Sequence, residues 1–400
     1  MFVNLTAGDQ KLALEDYRDI LHICRLCGNC RRTGTTYMPC CPAGERFGFD
    51  QYYSRGKAVI AKDLLGGKLT WSRSIADVVY RCTMCAACVE QCPVDYKDYI
   101  LKVFGALREE SVERSLVPPE VRDFLENIYT SGNPYGEPKK KRGKWADGSG
   151  IREYESGNEF LFYVGCIGSY DTRGNEIARS VGEIMLQSGL SFGILGSNEN
   201  CDGNEVNMLG ERGLFELLAK ENIDKFEKLG VKKIVTLSPH AYNAIKNEYP
   251  QYSANFEVHH YVQILREIIG NGEIDVSKGL DSRVTYHDPC FLGRYNGEYD
   301  APREILKSIP GIELVEMERN RENSFCCGGG SGNFYTDFFG SIENSPARIR
   351  IREAHDTGAD ILAVACPACM IMLEDALKVE GLEENLKVMD ISEIVKKVAE

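Results

Sequence analysis

Apolar and polar residues follow two different periods along the chain. Before residue 131, apolar residues recur at helical spacing in three stretches, at 9–23, 55–65 and 72–80. After residue 157, short apolar runs alternate with helix-like stretches such as 175–187. The runs are FLFYVG (160–165), KIVTLS (233–238), RVTYH (283–287) and ILAVAC (361–366). The pattern predicts a small helical region followed by βαβ units around parallel sheets.

The segment between these two regions has a different composition. Residues 131–150, SGNPYGEPKKKRGKWADGSG, are rich in Gly, Pro and Lys, which is typical of an exposed linker. The simplest interpretation of the basic run Lys139–Lys144 is a solvated face. The alternative is a docking site for an acidic partner or an anionic membrane surface.

The second half of the chain repeats itself. Cys166 corresponds to Cys290 at an offset of 124 residues, CDG (201–203) to CCG (326–328) at 125, and SPHA (238–241) to CPAC (366–369) at 128. These offsets indicate an internal duplication of about 125 residues. We therefore expect a multidomain α+β protein with a ferredoxin-like domain at 1–130, a linker at 131–157, and α/β repeats at 158–275 and 276–400.

Composition and charge narrow the class of protein. The 400 residues suit two or three domains, and the net charge of −13 argues against a nucleic-acid partner. The first residues lack the basic and apolar pattern of an export signal, so we expect none, and no apolar run approaches the roughly 18 residues of a membrane span. We expect a cytoplasmic protein that reaches the cytoplasmic face of a membrane only through a partner.

The sixteen cysteines point to the chemistry. Nine lie between Cys24 and Cys92, and seven between Cys166 and Cys369. Cytosolic thiols are kept reduced, so disulfides explain these cysteines poorly. Metal binding or redox chemistry is the better interpretation.

The most specific motif is CTMCAACVEQCP at 82–93. It matches the C-x₂-C-x₂-C-x₃-C-P run of bacterial ferredoxins, whose fourth cysteine ligates the other cluster of a pair. CRLCGNC at 24–30 supplies a second group, and its fourth ligand is delayed to CCP at 40–42, where Cys41 is our choice and Cys40 the spare. Zinc also uses C-x₂-C pairs, but it favours two well separated pairs over three cysteines within seven residues.

The motif therefore predicts two cubane [4Fe–4S] clusters. The ligands of one are Cys24, Cys27, Cys30 and Cys92, and those of the other are Cys41, Cys82, Cys85 and Cys88.

The carboxyl-terminal repeat carries a second pattern, C-x₃₅-CC-x₃₈-C-x₂-C. It consists of Cys290, Cys326, Cys327, Cys366 and Cys369. Cys290 and Cys366 follow predicted strands, where open α/β sheets bind their ligands. The three glycines at 328–330 would let the backbone turn sharply and approach a large inorganic group. Their spacing does not match a dinucleotide-binding loop, and we see no nicotinamide or flavin site.

This five-cysteine pattern, with its YHDPC, CCG and CPAC blocks, resembles the CCG domains of heterodisulfide reductases and related iron–sulfur oxidoreductases. A ferredoxin-like domain followed by two such repeats resembles the D subunit of heterodisulfide reductase over nearly the whole chain. The resemblance implies one noncubane [4Fe–4S] cluster held by the five cysteines. In such enzymes that cluster accepts a substrate sulfur and splits a disulfide by one-electron steps.

The first repeat departs from the pattern. It keeps Cys166 and Cys201, but Asp202, Ser238 and Ala241 occupy the other three ligand positions. Three uses of the surviving pair stay open: two buried relic cysteines, a redox-active dithiol, or an unusual cluster.

These residues predict an iron–sulfur electron-transfer subunit that passes electrons between two cubanes and a CCG-type noncubane cluster. The alternative is a catalytic disulfide reductase subunit of the heterodisulfide (CoB–CoM) type. In that case Cys326, Cys327 and His287 would be catalytic, with His287 as a proton donor. Because the chain carries no two-electron donor site, we expect a flavoprotein, a membrane cytochrome b or a hydrogenase as partner.

Overall fold

The amino-terminal region is helical, in agreement with its apolar spacing. The computed structural model describes residues 13–399. The helices before the first strand are α1 (Pro42–Phe47), α2 (Ser54–Leu65), α3 (Arg73–Tyr80), α4 (Ala87–Glu90), α5 (Ile100–Glu113) and α6 (Pro119–Ser131). Predicted helices 55–65 and 72–80 correspond to α2 and α3. Ser72 caps α3 by accepting a hydrogen bond from the Ile75 amide.

The predicted helix at 9–23 differs from what the structure contains. Two 3₁₀ turns, Ala13–Tyr17 and Ile20–Ile23, occupy its described part, and residues 9–12 lie outside the described residues. Leu14 and Leu21 are buried in the amino-terminal core. The Leu14 amide donates to Glu110 on α5 at 3.0 Å. Long-range packing therefore holds this segment, rather than its own α-helical hydrogen bonds.

The first repeat is a four-stranded parallel sheet with helices. Its strands are β1 (Phe160–Tyr163), β2 (Phe192–Gly193), β3 (Lys233–Thr236) and β4 (Glu257–His260), in the order β2-β1-β3-β4. Its helices are α7 (Gly165–Tyr170), α8 (Thr172–Gln187), α9 (Asn204–Met208), α10 (Arg212–Lys228), α11 (Pro239–Asn243) and α12 (Tyr261–Gly270).

The second repeat has the same topology. Its strands are β5 (Ser282–Tyr286), β6 (Ile312–Leu314), β7 (Ile361–Val364) and β8 (Lys387–Asp390), in the order β6-β5-β7-β8. Its helices are α13 (Asp300–Ser308), α14 (Asn333–Thr336), α15 (Pro346–Asp356), α16 (Pro367–Glu380) and α17 (Ile391–Ala399). The equal strand order agrees with the duplication read from the cysteine offsets, and the four predicted strands correspond to β1, β3, β5 and β7.

The segment at 131–157 is not exposed throughout, as its composition had suggested. Lys139–Lys141 and Lys144 are exposed, but Arg142 and Trp145 are only 1% and 4% exposed. The Trp145 ring packs edge-on against Phe162 of β1, with ring centroids 6.0 Å apart. The prediction was wrong for these two residues because they pack against the first repeat, which their neighbours in sequence do not reveal.

Arg108 of α5 links the amino-terminal region to both repeats. Its fully buried guanidinium donates to the Met208 carbonyl of the first repeat at 2.7 Å and to the Ser331 hydroxyl of the second. It also donates to the carbonyls of Val79 and Cys82. A buried guanidinium is stable only when its donors find acceptors. Arg108 therefore fixes the first cysteine of the ferredoxin-like motif against the two repeats.

Within residues 13–399, none of the helices combines the length and apolar character needed to cross a membrane.

Candidate iron–sulfur centres and the cavity between the repeats

The first group of predicted cubane ligands surrounds one cavity. The sulfur-bearing residues Cys24, Cys27, Cys30 and Cys92 all line a space of about 320 Å³, together with Tyr96 and Ile100. The structure thus brings Cys92, from the second motif, to the three cysteines of the first. This grouping fits a ligand set shared between two motifs, and the ligand roles stay a prediction.

The second group also comes together. Cys41 caps α1, where its sulfur accepts from the Gly44 amide at 3.4 Å. Burial raises the pKa of the Cys41 thiol to about 12, and the neighbouring Cys82 and Cys85 also raise it. Burial, with the same cysteines nearby, raises the pKa of Cys88 as well. Lys57 lowers the pKa of Cys41 only in part, so the buried thiol still resists deprotonation, whereas metal ligation requires the thiolate and supplies more positive charge.

Cys40, the spare cysteine, lies beside both groups. Its thiol is 1% exposed and donates to the Cys30 carbonyl at 3.3 Å. Its hydrogen bond to a main-chain oxygen gives this thiol a structural partner of its own.

The five cysteines of the second repeat converge at the carboxyl ends of two neighbouring strands. Cys290 follows β5 and Cys366 follows β7, which pair in parallel. The sulfurs of Cys327 and Cys369 lie 3.3 Å apart. Cys326 interacts with both Cys290 and Cys327, and Cys369 with Cys366. All five are buried and none forms a disulfide, so five thiols from distant parts of the sequence share one site.

A buried arginine, Arg294, lies next to this site and bears on whether the site suits an anionic cluster. Arg294 donates from Nε to the Cys85 carbonyl at 2.6 Å and from Nη1 to the Ser324 carbonyl at 2.7 Å. Its buried Nη2 has no hydrogen-bond partner among the described residues. Burial lowers the pKa of Arg294, but the negative charge of the neighbouring Cys85, Cys290 and Cys326 sulfurs raises it above its ordinary value. A buried cation with an unused donor beside three thiols fits thiolate-ligated clusters, which offer negative charge and sulfur acceptors.

The glycine-rich loop after Cys327 contacts the ferredoxin-like motif. A Cβ atom at Gly330 would lie 2.8 Å from the Thr83 carbonyl, so only glycine permits this approach. The Thr83 hydroxyl lies 3.8 Å from the Cys326 sulfur. Gly328 has a φ of +95°, which also favours glycine. At Gly330 the close neighbour is therefore protein backbone, and not the large inorganic group that the sequence predicts for these glycines.

His287 lies against the same five-cysteine site. Nε of Arg350 donates to His287 Nδ1 at 3.1 Å. Nδ1 is therefore an acceptor, and the ring proton of the neutral imidazole is on Nε2. A ring nitrogen of His287 and the sulfurs of Cys327 and Cys369 lie within 4.8 Å of one another. Because Nδ1 is held by Arg350, Nε2 is the nitrogen left for the cysteine sulfurs, and the proton-donor role expected for His287 stays a prediction.

The first repeat places an arginine where its cluster ligands are missing. Nη1 and Nη2 of Arg142 each lie 3.5 Å from the Cys166 sulfur. The guanidinium also pairs with Glu199 at 2.9 Å, and both side chains are at most 3% exposed. Sequence reasoning missed Arg142 because it stands in a basic run that reads as solvent-exposed. The one available signal is Trp145, a large apolar residue three positions later.

One cavity separates the two cysteine sites. It has a volume of about 540 Å³, including its opening to solvent. Cys166 and Cys201 line it from the first repeat, and Gly329 and Ala368 line it from the loops of the second.

His240, from the SPHA block, connects the two sides of this cavity. Its Nδ1 contacts Glu205, and the ring also interacts with Cys366. Burial lowers the pKa of His240, but Glu205 and Cys366 raise it well above its ordinary value. Burial and the nearby Glu205 raise the pKa of Asp202 to about 6. The first repeat thus presents acid–base groups and two thiols to the site in the second.

Comparison with known families agrees with this organisation. The 4Fe-4S dicluster domain family matches residues 20–96, and the Cysteine-rich domain family, CCG, matches residues 160–246 and 284–374. A hypothetical protein from Helicobacter pylori has a similar fold at 11% identity, with a TM-score of 0.54, over 96% of this chain and 71% of that one.

Several curated proteins are similar in sequence. The probable iron–sulfur-binding oxidoreductase FadF of Bacillus subtilis is 39% identical over 79% of this chain and 46% of its own length. The EtfAB:quinone oxidoreductase of Syntrophomonas wolfei is 36% identical over 81% of this chain and 47% of its own length. This chain therefore spans about half the length of these two relatives.

A third relative matches along almost its whole length. The D subunit of the dihydromethanophenazine:CoB–CoM heterodisulfide reductase of Methanosarcina barkeri is 29% identical over 94% of this chain and 93% of its own. The domain matches and these relatives show that the chain belongs to the CCG-domain iron–sulfur oxidoreductases, the family that includes the D subunit of heterodisulfide reductase.

Proposed function

We propose that the chain is the electron-transfer subunit of an oxidoreductase complex, in which electrons pass between two cubane [4Fe–4S] clusters and one noncubane [4Fe–4S] cluster. Iron–sulfur clusters held by thiolates supply one-electron transfer. The first cubane would be held by Cys24, Cys27, Cys30 and Cys92, the second by Cys41, Cys82, Cys85 and Cys88, and the noncubane cluster by Cys290, Cys326, Cys327, Cys366 and Cys369.

The contact between the second and third ligand groups carries this proposal. The Thr83 hydroxyl of the second group lies 3.8 Å from the Cys326 sulfur of the third, and interaction with Cys326 lowers the pKa of the Cys85 thiol while burial opposes this effect. The Tyr295 hydroxyl donates to the Met84 carbonyl at 2.5 Å, and Arg294 holds the Cys85 carbonyl. Cys85 and Cys326 are both buried, which excludes water from this contact. A buried contact between two ligand groups favours single-electron transfer between them.

The surface near the first ligand group supports an entry point for electrons. Cys27 is exposed, and the apolar side chains of Ile23 and Leu26 beside it are 37% and 39% exposed. Exposed apolar side chains grouped around a ligand loop are typical of a docking surface for a protein partner. We propose a flavoprotein, a membrane cytochrome b or a hydrogenase as that partner. We also propose that the chain is cytoplasmic and associates with a membrane only through this partner. The name of the Syntrophomonas relative, EtfAB:quinone oxidoreductase, gives that protein two redox partners.

Iron analysis and rapid reduction test the proposal. Anaerobically purified protein should contain about twelve irons per chain, from three four-iron clusters. After mixing with reduced methyl viologen, freeze-quenched samples should show an electron in the CCG site by electron paramagnetic resonance. Cys27→Ala should slow its arrival, and Cys40→Ser, the matched control, should not. A CCG site that stays oxidised, or a rate that Cys27→Ala leaves unchanged, contradicts the proposed order of transfer.

The cavity favours a second candidate, a disulfide reductase that acts at the CCG site with Cys326, Cys327 and His287 as catalytic residues. The cavity opens to solvent and reaches Gly329 and Ala368 of the CCG loops, so it offers a small substrate a route toward them. Turnover of the CoB–CoM heterodisulfide with reduced viologen would favour this function over simple electron transfer. Electron transfer without turnover of this or simpler disulfides favours the first.

A further inference from the structure

We propose that Cys166 and Cys201 form a reactive dithiol that exchanges with small disulfides entering the cavity between the repeats. Cys166 is the attacking thiolate and Cys201 the resolving thiol. This activity is separate from the proposed electron-transfer role, because thiol–disulfide exchange needs only the two thiols of the first repeat and Arg142.

The donors of Arg142 favour a thiolate at Cys166. Nη1 and Nη2 of Arg142 both donate to the Cys166 sulfur at 3.5 Å, and the Tyr170 hydroxyl also accepts from the guanidinium. Buried guanidinium hydrogens need acceptors, and a neutral thiol accepts only weakly. A thiolate accepts a charge-assisted hydrogen bond, so the buried Arg142 stabilises the deprotonated form.

Glu199 does not cancel the charge of Arg142. Its carboxylate pairs with the guanidinium, but it also accepts from the Val164 amide at 3.0 Å and the Gly165 amide at 2.9 Å. Two main-chain amides therefore share the negative charge of Glu199. The Arg142 face toward Cys166 retains positive charge for the sulfur.

Cys201 is placed to act as the second thiol. Its interaction with Cys166 lowers the pKa of the Cys166 thiol, burial opposes this effect, and Arg142 lowers the pKa further. The same interaction, together with burial, raises the pKa of Cys201. The pair therefore divides into one thiolate and one thiol, as in dithiols that attack and then resolve.

The cavity gives a substrate access to both sulfurs. Cys166 and Cys201 line it, together with the aromatic side chains of Phe124, Phe334 and Tyr335 and the polar side chains of Asp202, Glu205 and His240. Because two of these polar groups are carboxylic acids, the lining suits a small disulfide with neutral arms better than an anionic one.

The exchange balances without an external electron donor. The Cys166 thiolate attacks one sulfur of the substrate R–S–S–R, forming a mixed disulfide and releasing R–S⁻. That thiolate takes the proton of Cys201, whose sulfur then attacks Cys166 and expels the second R–S⁻. The dithiol loses two electrons and becomes a disulfide, and the substrate is reduced to one thiol and one thiolate, which takes its proton from water. A second dithiol, such as dithiothreitol, regenerates the starting pair.

The geometry disfavours metal at this place. Ser238 and Ala241 stand where the second repeat has Cys366 and Cys369. The guanidinium of Arg142 contacts the Cys166 sulfur, which a metal ion would need as a ligand. Its positive charge also repels a cation.

The test uses the full chain with its clusters, purified without oxygen, and bis(2-hydroxyethyl) disulfide as the probe. Peptide mass spectrometry should find a Cys166–Cys201 disulfide after exposure to the probe and none after dithiothreitol. Cys201→Ser should accumulate the mixed disulfide on Cys166, and Cys166→Ser should form neither product. Cys40→Ser removes a buried thiol outside the cavity and should behave as wild type.

Arg142→Lys separates a reactive thiolate from two buried thiols that merely lie near each other. Exchange at neutral pH should slow about tenfold, and its pH profile should move up by about one unit, because the thiolate loses part of its stabilisation. Near-ultraviolet circular dichroism of the same samples reports whether each variant keeps its fold.

Three results overturn the proposal. They are the absence of any probe adduct on Cys166 in folded Cys201→Ser protein, an Arg142→Lys pH profile that matches wild type, and iron or zinc bound to Cys166. Iron analysis of the same samples keeps the two proposals apart. Protein that lacks iron but still exchanges with the disulfide probe contradicts only the electron-transfer function. Protein that has its full iron content but does not exchange contradicts only the dithiol proposal.

Discussion

The two cysteine-rich repeats share one strand order and differ in the residues at the ends of their strands. In the second repeat five cysteines converge, and two arginines lie next to them. Arg350 donates a hydrogen bond to His287, and Arg294 donates one to the Cys85 carbonyl. In the first repeat two cysteines survive, and Arg142 lies on one of their sulfurs. A cation thus faces thiol sulfur directly where the cluster ligands have been lost. The comparison shows that the same strand order forms in the first repeat, which lacks three of the five cysteines. There the buried charges are paired with one another instead.

Removing one cysteine from each repeat gives the largest expected contrast. Cys366→Ala should reduce the iron content by about four per chain, because a four-iron cluster loses a ligand that the rest of the site cannot replace. Cys201→Ala should leave the iron content unchanged. Iron and protein assays on anaerobic preparations measure both. Equal iron loss in the two variants would show that the first repeat also holds a cluster.

Rebuilding the first repeat asks whether Arg142 has replaced a cluster. Asp202→Cys, Ser238→Cys and Ala241→Cys together restore the five-cysteine pattern, but iron should stay near twelve per chain while Arg142 covers Cys166. Adding Arg142→Ala and Glu199→Ser, which removes the buried ion pair, should raise it toward sixteen, the content of four four-iron clusters. A cluster gained with Arg142 still present would contradict the blocking role given to its guanidinium.

Removing Arg142 should also destabilise the first repeat. Arg142→Met leaves Glu199 buried without its cation, which costs about 3–5 kcal/mol. The matched control is Lys141→Met, because the Lys141 side chain is 48% exposed and pairs with Glu137 at the surface. That variant should change the free energy of unfolding by at most about 1 kcal/mol. Urea unfolding of the two variants decides the matter, and similar values for both would mean that the buried pair contributes little.

Changing His287 should give the smallest effect, confined to the second repeat. A hydrogen bond to ligand sulfur stabilises the reduced, more negative state of a cluster, so His287→Leu should lower the reduction potential of the CCG site. About 1 kcal/mol for one hydrogen bond corresponds to roughly 40 mV for one electron. Potentiometric titration followed by electron paramagnetic resonance measures the shift. His287→Gln, which keeps an N–H donor, should recover part of it, and a potential equal in all three proteins would remove His287 from this role.

Local patterns predicted much of the fold. Helices α2 and α3 and strands β1, β3, β5 and β7 follow apolar periodicity, because each buries one face or a short run in its own core. The helix expected at 9–23 consists of 3₁₀ turns in its described part, because Leu14 is held by Glu110, ninety-six residues away. The exposure of Arg142 and Trp145 was misjudged for the same reason, since both find their partners in the first repeat.

By itself the sequence determined the family, the duplication and the candidate ligands, because cluster motifs depend on short spacings between cysteines. Tertiary structure alone decided that Cys85 meets Cys326 and that Gly330 approaches Thr83. It also decided that an arginine from a basic run occupies the altered site beside Cys166. These contacts join residues far apart in the chain, and only the packing of complete domains brings such side chains to one place.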